Sequence, residues 1–187
     1  MERDFYSRKA RQEGYLARSI YKLRQINSKH NIISKNSGVL DLGCSPGGWV
    51  QYCSELGCSI TGIDINPVKI NGRNFKFRKI DVLSDDVFSL PGKFDAVISD
   101  MAPKTTGIKD LDRARSYNLA LRALEIAKNN LKPNGNFLAK VFQGDEFIKF
   151  LNECKKYFSF VKCDKPMASK SKSIEMYIIC KGLKTKN

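Results

Sequence analysis

Two kinds of residue in this 187-residue chain have types and spacing suited to chemistry: acids that close apolar runs, and a lysine set inside one. The first acid, Asp41, sits in V-L-D-L-G-C-S-P-G-G-W at 39 to 49. Apolar residues lead into it, a glycine-rich turn follows, and a helical pattern begins after Pro46. The stretch therefore predicts a buried strand feeding a helix through a tight loop. Gly43, Gly47 and Gly48 permit backbone angles and close approach that a side chain forbids, and the amides at a helix start are open donors. Such a loop can seat a cofactor. A dinucleotide fingerprint spaces its glycines G-x-G-x-x-G to bring a pyrophosphate onto the helix, whereas this loop reads G-x-x-x-G-G. Asp64 closes the next apolar run and lies 23 residues after Asp41, about where a doubly wound fold places an acid on a ribose diol. A ribose without a pyrophosphate points to an adenosine-type ligand such as S-adenosylmethionine. A glycine turn that only packs helix on strand has the same signature.

Two more acids follow the pattern. Asp81 comes after the short strand expected over 75 to 80, where it either bonds an adenine amino group or caps the next turn. Asp100 closes the largely apolar run 94 to 99. Ligands of open α/β sheets collect at the carboxyl ends of strands, so Asp41, Asp64, Asp81 and Asp100 are expected along one sheet edge. Lys140 stands among Leu138, Ala139, Val141 and Phe142. A lysine in an apolar strand is costly to bury as a cation unless paired, which makes it a candidate for function; an exposed strand face is the other reading.

The elements that must position these residues follow from periodicity. Residues 4 to 27 predict a basic amphipathic helix in which Phe5, Tyr15 and Tyr21 either stack on bases or form a core edge. Residues 32 to 38 connect it to the first strand, and 104 to 116 read as a loop able to order over substrate. Helices are predicted over 117 to 131 and 145 to 156, strands over 137 to 142, 158 to 163 and 174 to 180, with the polar loop S-K-S-K-S before the last. The βα alternation with a closing pair of strands predicts an α/β fold: a doubly wound, mostly parallel sheet with an antiparallel, hairpin-like edge. A single domain over 1 to 187 is expected, with 1 to 35 a basic helical segment and 36 to 187 the core.

Composition narrows the function. The net charge is +14, and residues 1 to 35 carry nine Lys or Arg against three acids, residues 162 to 187 seven against two. Basic ends around a nearly balanced middle suit a polyanion, because neutralised phosphates release counterions. Nucleic acid is the expected partner. No run approaches the roughly 18 apolar residues of a membrane span, and the start lacks a signal-peptide pattern, so a cytoplasmic protein without a membrane partner is expected. The six cysteines form no C-x-x-C pair and His30 is the lone histidine, which predicts buried thiols rather than a zinc or disulfide framework.

Five blocks in order, A-R-S-I-Y-K-L at 17 to 23, D-L-G-C-S-P-G-G-W at 41 to 49, S-D-M-A-P at 99 to 103, K-V-F-Q-G at 140 to 144 and S-I-E-M-Y at 173 to 177, resemble the FtsJ family of ribosomal RNA ribose 2′-O-methyltransferases. The likeness covers essentially the whole chain. It implies a Rossmann-like methyltransferase fold, S-adenosylmethionine as donor, and a catalytic tetrad on Lys22, Asp100, Lys140 and Glu175. It further implies donor contacts from Gly47, Trp49, Asp64, Asp81 and Asp100; the loop residues Asp41 and Gly43 are expected beside them, and the cysteine and histidine spacing leaves no metal expected. Cys44 and Ser45 depart from the small residues usual in that loop, and no appended RNA-binding domain is expected, which leaves the basic ends to grip RNA.

A ribose hydroxyl is a weak nucleophile, whereas a sulfonium methyl is already activated, so an enzyme of this kind must align the two and take a proton. Lys140 either accepts that proton or, as a cation, steadies developing alkoxide, with Asp100 orienting it. Glu175 would orient a lysine, and Lys22 would hold ribose or phosphate. The expected substrate is a uridine in single-stranded or loop RNA of the large ribosomal subunit, with no DNA partner and a monomeric enzyme. The tRNA anticodon loop or an mRNA cap is the alternative substrate, and a non-catalytic RNA-binding assembly factor the alternative of another class.

Overall fold

The computed structural model describes residues 2–170 and 173–185. In chain order the elements are α1 (Glu2–Gln12), α2 (Ser19–His30), β1 (Gly38–Leu42), α3 (Gly48–Glu55), β2 (Ser59–Asp64), β3 (Phe75–Lys79), a 3-10 turn (Asp85–Ser89), β4 (Phe94–Ser99), α4 (Lys109–Asn130), β5 (Leu131–Phe142), α5 (Asp145–Tyr157), β6 (Phe158–Asp164) and β7 (Glu175–Leu183). All seven strands form one sheet in the order β3-β2-β1-β4-β5-β7-β6. Strands β3 to β5 run parallel, while β7 is antiparallel to both β5 and β6. The expected antiparallel edge is thus the β6–β7 pair, with β7 threaded inside β6. Of the S-K-S-K-S loop, Ser171 and Lys172 lie outside the described residues.

The sheet is buried on both faces, which explains why β1 and β4 read as apolar runs rather than as alternations. Leu40, Leu42, Val97, Ala139 and Val141 pack with α4 and α5, including Phe150 and Leu124. On the other face Val39, Ile98, Leu138, Tyr177 and Ile179 pack with α2 and α3 through Ile20, Leu23, Ile26 and Trp49. Lys140 shares the parity of Leu138, and Tyr177 that of Ile179. Both side chains therefore stand on the α2 face.

Two expectations change. The basic helix foreseen over 4 to 27 is two helices, because the chain turns at Gly14 (φ +76°) and the Tyr15 amide returns to the Ala10 carbonyl at 2.8 Å. Tyr21 is buried, edge-on to Tyr15, and Tyr15 donates to Glu55 at 2.6 Å. Packing thus occupies both rings, and Phe5 alone of the three stays exposed. The loop foreseen over 104 to 116 is helical from Lys109 onward. Asp112, in its first turn, accepts the Thr106 amide and hydroxyl at 2.8 and 2.9 Å and ties the preceding loop down. Among the described residues, no helix is long and apolar enough to cross a membrane.

Candidate active site

Strand register assembles the polar centre. Leu42 pairs with Ser99 and Ser99 with Ala139, so Asp100 leaves β4 level with Lys140. Across the antiparallel β5–β7 pair, Lys140 faces Tyr177 and Phe142 faces Glu175. Directly opposed residues share a face, as do residues two apart, which puts Lys140, Tyr177 and Glu175 together beneath α2. Lys22 comes from that helix, three residues after its start at Ser19, and is 5% exposed.

The four charges alternate. Lys140 Nζ lies 2.9 Å from Asp100 Oδ1, donates to the Asp100 carbonyl at 2.6 Å, and stands 4.0 Å from Glu175 Oε1. Lys22 Nζ donates to Glu175 Oε2 at 2.8 Å. Both ammonium groups are thereby compensated where burial would otherwise be prohibitive. Burial alone would raise the Glu175 carboxyl, but Lys22 and Lys140 more than offset it, with hydrogen bonds from Lys22 and Ser173, and hold it below the ordinary value. Tyr177 completes the cluster. Its fully buried hydroxyl donates to Asp100 Oδ1 at 2.7 Å, and burial together with the Asp100 charge pushes the phenol well above its usual range. Its ring lies 5.7 Å from Lys22 Nζ and 6.1 Å from the Trp49 indole.

Asp100 also borders a second feature, a cavity of about 100 Å³ lined by the β1–α3 loop, Asp41, Ser19 and Trp49. Gly43 (φ +75°) and Gly47 (φ +117°) occupy left-handed backbone that favours glycine. A Cβ on Gly43 would come within 2.5 Å of Met101 Cγ, and one on Gly47 within 2.4 Å of Ile70 Cδ1. Trp49 donates its indole N–H to the Ser19 carbonyl at 3.0 Å, fastening α3 to α2 at the cavity wall. Asp64 stands beside the loop: its Oδ2 accepts the Ser45 amide at 2.9 Å and its Oδ1 the Asn66 amide at 2.8 Å.

Asp41 is the anomaly. It is 1% exposed, and its Oδ2 has no hydrogen-bond partner. Burial first, then the neighbouring charges of Asp100 and Asp64, raise its carboxyl well above the ordinary range. A buried acceptor without a donor is costly. A ligand that brings a positive charge or an N–H to this spot removes the cost, so the site fits a cationic adenosine-type donor. The cavity itself admits only one end of such a molecule, since ligand pockets usually measure ~300–1,000 Å³. The remainder must share space with Val68, Ile70, Leu16 and Met101, the flexible side chains resting on the loop glycines.

Of the residues singled out from sequence, Lys22, Asp100, Lys140 and Glu175 form one charge network. Asp41, Gly43, Trp49 and Asp100 line the cavity. Asp64 and Gly47 belong to the same loop system without lining it. Asp81 does not line the cavity: it is exposed, and its carboxylate accepts the Leu83 amide at 2.9 Å, capping a turn. Tyr177 received no role from sequence, although alternation along β7 from Glu175 was a signal that it shares the same face.

The sequence pattern of the FtsJ-like methyltransferases matches residues 15–183. A ribosomal RNA large subunit methyltransferase E from Methanothrix thermoacetophila is 46% identical over 97% of this chain and 73% of its own length. The protein of the same name from Archaeoglobus fulgidus is 42% identical over 95% of both chains. Among solved structures, a candidate ribosomal RNA methyltransferase from Plasmodium falciparum superposes with a TM-score of 0.81 at 26% identity, covering 92% of this chain and all of that one.

Proposed function

The chain belongs to the FtsJ-like methyltransferase family, and from that premise we propose that it methylates a ribose 2′-hydroxyl, that of a uridine in large-subunit ribosomal RNA, with S-adenosylmethionine as donor. The observation that carries this reading is the double position of Asp100, which borders the glycine-loop cavity and at the same time holds Lys140. Donor end and proton acceptor therefore meet at one residue.

When bound, the donor supplies a methyl group already activated on sulfonium. The protein's part is to hold, align and deprotonate. Asp41 accepts the donor's positive end, and the glycine loop lets the backbone approach it. Asp64 keeps lone pairs beyond its two amide bonds for the ribose diol, while Asp81 takes the adenine amino group and Trp49 walls the cavity. Lys140 faces the target hydroxyl. With one hydrogen on the Asp100 carbonyl and one on its carboxylate, the amine keeps its third position for the substrate. Once the Lys140 ammonium has given a proton to solvent, that third position is a lone pair, which would take the hydroxyl proton onto Nζ while the bound donor would supply the methyl group to the oxygen. Lys22, held by Glu175, positions the ribose or its phosphate. The reading takes residues 1–187 as one methyltransferase domain, monomeric and cytoplasmic, acting on RNA rather than DNA.

Transfer of labelled methyl to unmethylated large subunits, naked ribosomal RNA and bulk tRNA in parallel tests it, with Lys140→Ala as control. Label in subunits or ribosomal RNA, lost in the control, is the expected result. Label in tRNA alone would keep the chemistry and overturn the substrate. Label that survives in the control would overturn the role of Lys140.

A further inference from the structure

Beyond the charge network, α2 continues past Lys22 as one wall of two grooves. The first, about 480 Å³, lies between the helix and the segment after β6, and Arg24, Lys29, Lys165 and Asp164 line it. The second, about 550 Å³, opens on the β6 edge and is lined by Lys29, Phe160 and Lys181. Lys29 belongs to both, so the two form one track. Each has the volume of a site for a nucleotide-sized ligand, ~300–1,000 Å³. The track holds four Lys or Arg against a single acid. That acid, Asp164, is only 15% exposed at its side chain and has Lys29 and His30 both 2.7 Å from its Oδ2.

The track adjoins the candidate active site. Gln25, one turn beyond Lys22, accepts the Ala168 amide at 3.0 Å and fixes the far wall of the first groove to α2. Ser173 links that wall to the network: its carbonyl accepts Lys165 Nζ at 2.7 Å and its hydroxyl the Glu175 amide at 3.2 Å. At the other end Phe160 is 45% exposed on an edge strand, beside two lysines. Cations spaced along a groove with an aromatic face among them are what a single strand of nucleic acid requires, phosphates on the former and a base on the latter.

We propose that this track binds the single-stranded RNA leading away from the target ribose. The nucleotide next to the target lies in the first groove, and a further base stacks on Phe160 with its phosphates on Lys29 and Lys181. The proposal rests on the RNA-methyltransferase reading and extends it to how the strand is held.

The test is binding of a fluorescent oligouridylate of about 15 nucleotides, followed by anisotropy at several salt concentrations, a length within the ~4–16 nucleotides that OB-fold single-strand binders cover. Phe160→Ala is expected to weaken binding about 10-fold, and Phe160→Tyr to keep it, because every aromatic face can stack. Lys181→Ala is expected to lower the slope of log K against log salt by about 0.7, the share of one phosphate on a single strand. The melting temperature and donor affinity of all three variants should match the wild type. Binding within twofold of wild type for Phe160→Ala, together with an unchanged slope for Lys181→Ala, overturns the track. Wild-type protein that ignores RNA but captures a polyglutamate peptide overturns it in favour of an acidic protein partner. Wild-type protein that binds neither, while still binding the donor, removes the RNA reading itself.

Discussion

Asp100 separates two regions built on opposite principles. On one side Lys22, Glu175, Lys140 and Tyr177 give every buried charge a partner within hydrogen-bond reach. On the other, Asp41 is buried more deeply than either lysine and its Oδ2 is bare. The first region is finished by the fold alone. The second is left short of one positive or donating group. A centre that handles a proton gains from rigid preorganisation, whereas a site that exchanges a cationic ligand every turnover gains from being incomplete without it. Mutations should accordingly fall into two groups, those that damage turnover or stability and those that damage donor binding.

The sharpest test of that division is Lys140→Ala. Loss of a positioned acid–base group typically costs 10²–10⁴-fold, so turnover should fall about 10³-fold, while donor affinity by calorimetry stays within about twofold. A comparable loss in both quantities would merge the two regions into one. Glu175→Gln probes the network differently. An amide keeps an acceptor for Lys22 but removes the charge, so the expected destabilisation is roughly 2 kcal/mol, below the ~3–5 of breaking a buried pair outright. The sign with pH follows from its lowered carboxyl. Its contribution is present above the unfolded value of about 4.3 and is lost as pH falls through the lower folded value. The wild type should therefore lose more stability than Glu175→Gln on acidification below about pH 4.3, measured by denaturant melts.

Asp41→Asn addresses the incomplete side. A raised carboxyl destabilises the folded protein increasingly as pH climbs above the unfolded value of about 3.9. At neutral pH the asparagine variant should melt higher than the wild type and bind the donor about 10-fold more weakly, the loss of one charge-assisted contact. The melting gain on saturating donor should shrink correspondingly. A variant that melts lower and binds as before would mean that Asp41 already has what it needs.

How far the sequence discloses these regions depends on how local the cause is. Each of β1, β2 and β4 is an apolar run closed at or next to an acid, and β5 carries its lysine among aliphatics, so strands and the Asp41, Asp64, Asp100 and Lys140 positions were readable from their immediate neighbours. The break between α1 and α2 was not, since Gly14 sits in an otherwise helical pattern and the turn is fixed by the packing of Tyr15 on Tyr21 and Glu55. The first turns of α4 lack apolar periodicity and are fastened by Asp112 reaching back to Thr106. Lys22 and Glu175 lie 153 residues apart. Only family resemblance joined them, because register across β5 and β7 is a tertiary property. Asp81 shows the converse, an acid after a strand whose visible bonds are those of a turn.

Tyr177 is the smallest predicted effect and the most discriminating, because it joins the two regions through Asp100 without lining the cavity. Tyr177→Phe keeps the ring that packs against Trp49 and Lys22 and deletes only the O–H on Asp100 Oδ1. The carboxylate keeps Lys140, so its loss is one hydrogen bond to a charged group, about 1.5–3 kcal/mol if none of it is recovered. Asp100 is 19% exposed at its side chain, and water can recover much of that. A fall of about fivefold in kcat is expected, with KM for RNA and donor affinity unchanged. Weaker donor binding in Tyr177→Phe would mean that the phenol sets the position of Asp100 in the cavity wall. A drop in kcat alone would mean that it acts through the Asp100–Lys140 pair, and the two regions would then be separable at the level of a single carboxylate oxygen.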